Sequence, residues 1–236
     1  MVIADEMIVI KLPTVETHLE TIAGTIDVPG GIADLATFRT WINSSSYPND
    51  LRIDFIKNSL WLDASMEELL SHNQMKMSMY HTLIHLVVSE SLGMFLPDGM
   101  RISHPSSGLS VEPDAAFVSF DALQTGRVRK CVGPNGIMEL EGSPEMVLEV
   151  VSRSSRKKDY EQLPELYAAS GVQEFWRVDV RTDVSFEILH LVGSHYNSAS
   201  SDSEGYVKSN VYGRFFRIVK ATNAIGDPVY VLEHRR

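Results

Sequence analysis

The sequence predicts an α/β protein in which helices flank a mixed β-sheet. Three observations carry this. Residues 65–93, "SMEELLSHNQMKMSMYHTLIHLVVSESLG", hold the longest run of helical periodicity. "EMVLEVVS" at 145–152 is an almost unbroken apolar, β-branched run, the pattern of a central strand buried on both faces. Shorter segments separated by Gly, Pro and Ser turns surround these two, giving the order helix, strands, central strand, helix, further strands.

In chain order, residues 1–30 are mixed and end in the turn signal "DVPGG". "IADLATFRTWINSSS" places apolar residues at 32, 35, 38, 41 and 42, which is helical spacing, and runs out in a serine-rich loop. Residues 1–45 are expected to form a helix/hairpin extension, and residues 46–236 the main domain. "LRIDFIKNSLWLD" alternates at Leu51, Ile53 and Phe55, breaks at Lys57-Asn58 and alternates again at Leu60 and Leu62, as a β-hairpin does. Ser65 and Glu68 have the spacing of a capping box, and Gly93 is the expected helix stop. "MRISHP" and "PDAAFVSF" read as strands around the loop "SSGLS", and residues 121–145 as a Gly-containing excursion bearing "RVRK". After the central strand, "YEQLPELYAASG" is helical, with Gly171 its stop. A proline inside a helix costs roughly 3 kcal/mol, so the regular helix is expected to begin near Pro164, leaving residues 160–163 irregular. "EFWRVDV" and "VSFEILHLV" are strands, "SHYNSASSDSEGY" a polar loop, and "VYGRFFRIVKA" a late strand before the closing "DPVYVLEHRR".

The net charge of −10 means that the overall field does not steer the chain to nucleic acid, so any such contact requires a local basic patch. Cys131 stands alone, which excludes an internal disulfide and suits a reducing compartment. "MVIADEMIVIKL" lacks the basic start of a signal peptide, and no run approaches the roughly 20 apolar residues of a membrane span. A cytoplasmic protein with no membrane segment is expected. No Walker loop and no G-x-S-x-G motif occurs, which removes the support for nucleotide triphosphatase and α/β-hydrolase readings. His81 and His85 have zinc-ligand spacing, but Thr82 stands where the protease motif needs Glu, and no third ligand is nearby.

Glu149 interrupts the apolar run. An unpartnered carboxylate there costs several kcal/mol, so it is paired with Arg153 or Arg177, protonated, or holding a metal. Asp114 follows Pro113 at the start of the preceding confident strand, although Pro-Asp is also a common turn dipeptide. If the two strands pair, the acids meet at one sheet edge, and one would protonate unless a cation sat between them. Oxygen-only ligands favour Mg²⁺ or Mn²⁺.

"EPDAAFV", "MVLEVVSRSSRKKD" and "ELYAASGVQEFWRVD", in that order, together with the helix "SHNQMKMSMYHTLIHLV", resemble the Uma family of restriction-endonuclease-like proteins over about residues 50–190. That family belongs to the PD-(D/E)XK nuclease-like superfamily. The resemblance implies a restriction-endonuclease-like core and a metal-dependent phosphodiesterase, with Asp114 and Glu149 as catalytic acids holding Mg²⁺ or Mn²⁺. Glu67, at the helix start, is the candidate third ligand, although a helix N-terminus favours negative charge anyway. His72 matches the family's helix histidine and would support a carboxylate or phosphate. The chain also departs from the pattern. The superfamily lysine shares a strand face with the acid two residues before it, and Val151 stands at that position. The alternative lysine position, on the next helix, is Leu163. The catalytic lysine is therefore sought at Lys157 or Lys158, with Ser152 and Gln162 in support. Arg127, Arg129 and Lys130 of "RVRK" and Arg153 and Arg156 of "RSSRKK" are the nucleic-acid-binding candidates, the alternative being two solvated loops. The expected function is a Mg²⁺-dependent endonuclease acting on nucleic acid, DNA in the first place, as a homodimer. The missing lysine keeps a second reading open: a catalytically inactive nuclease-fold module that binds nucleic acid or protein.

Overall fold

The computed structural model describes residues 7–11, 17–21, 24–48, 51–63, 68–133 and 136–236. The chain starts with β1 (Met7–Lys11), the paired β2 (Thr17–Thr21) and β3 (Gly24–Val28), then α1 (Leu35–Ile42). The Asp34 carboxylate accepts the Thr37 amide at 2.8 Å while the Thr37 hydroxyl accepts the Asp34 amide at 3.0 Å, a reciprocal cap that fixes where α1 begins. Its Leu35, Phe38 and Trp41 are buried, as their spacing requires.

β4 (Arg52–Ile56) and β5 (Ser59–Asp63) form the expected hairpin, with Lys57 and Asn58 at φ 47° and 56° in a two-residue turn. Ile53, Phe55, Leu60 and Leu62 pack against Phe38 and Trp41, and β1 adds to the free side of β5. Strand alternation then sends Arg52, Asp54 and Ile56 to the opposite face, where Ile56 joins a second core with Val147, Leu163 and Tyr167.

Glu68 caps a wide turn, Leu69–Asn73, by accepting the Leu70 amide at 3.0 Å. Ser65, the expected capping-box partner, lies outside the described residues. α2 (Gln74–Ser89) follows and ends earlier than expected, with Ser91 at φ 51°. Gly93 is not its stop. It opens β6 (Gly93–Pro97), where a Cβ would lie 2.1 Å from the Val118 carbonyl oxygen, so the close strand approach excludes any side chain. β7 (Arg101–His104), β8 (Leu109–Val111) and β9 (Ala115–Ser119) come next. The stretch expected as an excursion is instead α3 (Phe120–Gln124) and the paired β10 (Val128–Gly133) and β11 (Gly136–Gly142). All six residues of β12 (Met146–Val151) are buried. A second wide turn, Lys158–Gln162, precedes α4 (Leu163–Ala169), so the regular helix does start beside Pro164. β13 (Glu174–Asp179), β14 (Ser185–Val192) and β15 (His195–Ser198) follow, the last occupying part of the expected polar loop. β16 (Val207–Ser209), β17 (Arg214–Thr222) and β18 (Pro228–Arg235) end the chain.

The strands form two large sheets, ordered β1-β5-β4-β8-β7-β11-β10 and β15-β14-β13-β12-β9-β6, plus the small sheet β16-β17-β18. β12 runs parallel to β13 and antiparallel to β9, so its sheet is mixed. α2 and the small sheet cover one face of it, burying Met146, Leu148 and Val150, while α4 and β4 bury Val147 from the other. No helix among the described residues is long and apolar enough to cross a membrane.

Candidate functional site

Asp114 and Glu149 reach one cleft because their strands pair. β9 and β12 set Leu148 opposite Ala115, and the next step of that register brings Asp114 beside Glu149. There a side chain takes over the ladder: the Val150 amide donates to Asp114 Oδ2 at 2.7 Å. The Tyr80 hydroxyl of α2 donates to the Asp114 carbonyl at 2.5 Å, and the Tyr167 hydroxyl of α4 to Glu149 Oε1 at 2.7 Å. Each acid is only 2% exposed.

Basic groups from four elements gather around them. Arg52, at the start of β4, stands between the two acids, with Nη1 3.3 Å from Asp114 Oδ1 and Nη2 3.7 Å from Glu149 Oε2. Lys76 of α2 lies 2.6 Å from Asp98 Oδ2 and 3.5 Å from Asp114 Oδ1. His72 Nε2 is 2.6 Å from the Val150 carbonyl oxygen and 3.9 Å from Asp114 Oδ2. Lys158 is buried and donates to Asp54 Oδ2 at 2.8 Å, while Asp54 Oδ1 accepts the Glu112 amide at 3.0 Å. The cleft holds about 220 Å³, and Arg52, His72, Asp114, Glu149, Ser152 and Lys158 all line it.

Burial pushes the Asp114 carboxyl up, but Arg52, Lys76 and His72 outweigh it and hold the group down at about 2. Glu149 goes the other way. Burial drives it well above the ordinary carboxylate range, Asp159 and Asp114 add to that, and Lys158 and Arg52 do not offset them. Asp159, fully buried, rises to about 6, again through burial, against the pull of Lys158 and of the Ser155 hydroxyl bonded to it. Burial alone would lower Lys158, yet Asp54 and the neighbouring acids raise it, so its ammonium stays charged. The two central acids are thus shifted in opposite directions, Asp114 down by its basic neighbours and Glu149 up by burial.

The chemistry of the site fits a hard divalent cation. The donors are carboxylate oxygens, and a positive centre already lies between them. Mg²⁺ is commonly held by only one or two carboxylates, with water completing the shell. Among the described residues no cluster of three His, Cys, Asp or Glu side chains forms a metal site. Glu67, the candidate third ligand, lies outside the described residues. His81 and His85 border a separate groove with Glu233 and His234 and make no such cluster either.

The remaining candidates are spread out. Lys158 points into the core of the site, whereas Lys157, Arg153 and Arg156 are exposed and do not line the cleft. Gln162 does not line it either, and Val151 and Leu163 are buried apolar residues. Ser152 lies at the rim, its amide donating to the Ser155 hydroxyl at 2.9 Å. "RVRK" does not join the acids: Arg127 donates to the Ser143 carbonyl at 3.0 Å and pairs with Glu145, Arg129 pairs with Glu141, and Lys130 is exposed on β10, the far edge of its sheet. Nor is Glu149 paired with Arg153 or Arg177. Arg177, although its neighbour in register, bonds Glu187 at 2.7 Å instead.

Arg52, Asp54, Lys76 and Tyr167 were not expected at the site. Arg52 and Asp54 did leave a trace, being polar residues alternating with Ile53 and Phe55, but that pattern equally describes a strand with one wet face.

The Uma2 family model, described as "Putative restriction endonuclease", matches residues 35–210. The fold is similar to the crystal structure of a "putative nuclease belonging to DUF820" from Anabaena variabilis, with a TM-score of 0.51 and 12% identity, covering 68% of this chain and 83% of that one. At this identity the likeness speaks for the fold alone. No curated protein matches the chain.

Proposed function

Because the chain belongs to the Uma2 family, we propose that it is a divalent-metal-dependent endonuclease that hydrolyses phosphodiester bonds in DNA, with Asp114 and Glu149 as the metal ligands. The observation that carries this reading is that one guanidinium touches both carboxylates at the wall of an open polar cleft, which makes that point a common cation position. A bound Mg²⁺ or Mn²⁺ would polarise a phosphate oxygen and lower the pKa of an attacking water.

The chain's own residues would do the rest. Asp54 holds the Lys158 ammonium charged and fixed, which suits it to stabilise negative charge on the scissile phosphate rather than to accept a proton. Lys158 reaches the cleft from the turn before α4, and so would serve in place of the lysine that Val151 and Leu163 displace. His72 would steady the Val150 main chain and the Asp114 carboxylate. A second copy of the chain is the expected partner for cutting both strands, read by sedimentation with and without DNA.

A Mn²⁺ titration followed by plasmid nicking tests the proposal. Wild type is expected to bind the ion and nick DNA, and Glu149→Ala to do neither. Equal silence of both proteins across metals and DNA forms would overturn it in favour of an inactive module.

A further inference from the structure

The cations around the acids are not held alike. Lys158 and Lys76 are anchored to their own acids, Asp54 and Asp98, at 2.8 and 2.6 Å. Arg52 has no such anchor. Its contacts with Asp114 and Glu149 are 3.3 and 3.7 Å, and its Nε and Nη2 atoms are buried without a hydrogen-bond partner. An arginine seated for shape makes paired, short N–H···O bonds with a carboxylate. This guanidinium is instead held by one long hydrogen bond to Asp114 and by the charge of the acids around it. Leaving would cost it one long hydrogen bond and free two unsatisfied donors to find partners.

We propose that Arg52 is a resident counter-cation, occupying the metal position between Asp114 and Glu149 until a divalent ion displaces it. Two positive centres cannot share a gap of this size, because their repulsion rises steeply at a few ångströms. Metal loading and departure of the guanidinium are therefore one event, and Arg52 sets the metal concentration at which the centre fills. The inference rests on the reading of Asp114 and Glu149 as metal ligands.

The test is Mn²⁺ affinity, measured by electron paramagnetic resonance of the free ion, in wild type, Arg52→Gln, Arg52→Lys and the double variant Arg52→Gln/Glu149→Gln. Removing the competing charge should tighten Mn²⁺ binding about tenfold or more in Arg52→Gln, with a correspondingly larger rise in melting temperature on adding Mn²⁺. Arg52→Lys keeps a charge on a shorter side chain without the two-pronged guanidinium, so its affinity should fall between the two; it also serves if Arg52→Gln does not fold without metal. The double variant should not bind. If wild type binds Mn²⁺ and the folded Arg52 variants bind it no more tightly, the guanidinium does not compete and this inference fails, while the endonuclease proposal stands. If none of the proteins binds, both fail.

Discussion

Glu145, just before β12, and Glu149, inside it, are treated in opposite ways. Glu145 accepts the Ser119 amide at 2.9 Å and the Ser119 hydroxyl at 2.6 Å, and pairs with Arg127. Burial pushes its carboxyl up, but those bonds win and it ionises below its ordinary value. Glu149, toward the other end, has a hydrogen bond from Tyr167 and a long contact with Arg52, and burial wins. The strand therefore has a finished end and an unfinished one. A saturated carboxylate is structural, whereas one left short of partners in a cleft is available to a ligand.

The largest expected effect lies at the unfinished end. Lys158→Met leaves Asp54 charged and buried without its partner and should cost about 3–5 kcal/mol in urea unfolding. Lys157→Ala, exposed next door, should cost nearly nothing; equal losses would mean that burial of the pair is not what matters.

Next comes Glu149→Gln, which should lower metal-dependent nicking by about 10²–10³-fold, the scale of removing one electrostatic stabiliser. It should also raise the stability of the metal-free protein at pH 8. The folded pKa of Glu149 is above the unfolded value near 4.5, so its contribution is whole below pH 4.5 and is lost as pH rises through the folded value. Urea melts in chelator across pH 4–9 check the sign, and a Gln variant less stable than wild type at pH 8 would break the comparison.

Glu145→Gln should behave in reverse. Its folded pKa is depressed, so its contribution is present above pH 4.5 and is lost as pH falls through the folded value. A loss of about 2 kcal/mol at pH 7, with nicking by the folded fraction unchanged, is expected from the disrupted hydrogen bonds. The smallest effect belongs to Arg129→Ala, an exposed ion pair on the far sheet edge, at under about 0.5 kcal/mol with unaltered Mn²⁺ binding. A large fall in DNA affinity for this variant would show that the hairpin, not the cleft alone, carries the substrate.

Read from sequence, Glu145 and Glu149 are two acids in "SPEMVLEVVS". Apolar run and alternation were enough to locate β12, the β4–β5 hairpin and the helix before them, because those signals are local and repeat at the period of the backbone. The family likeness was legible as well, since its motifs are short and ordered. Where a signal depended on a distant contact, the reading slipped: Gly93 looked like a helix stop and is instead demanded by the Val118 carbonyl on a neighbouring strand.

The sequence by itself placed Asp114 at the start of one strand and Glu149 inside another, and set the start of the regular helix near Pro164. Only the tertiary structure decided which cations meet those acids. Alternation sends Arg52 and Asp54 to one face of β4, but nothing local says that this face packs on β12 and α4 rather than on water. Lys157 and Lys158 are indistinguishable as neighbours in a basic run, and it is a wide turn, set by the packing around it, that buries one and leaves the other exposed. Charge partners across strands are fixed by register and layer packing, which are long-range properties that a linear pattern of residue types does not carry.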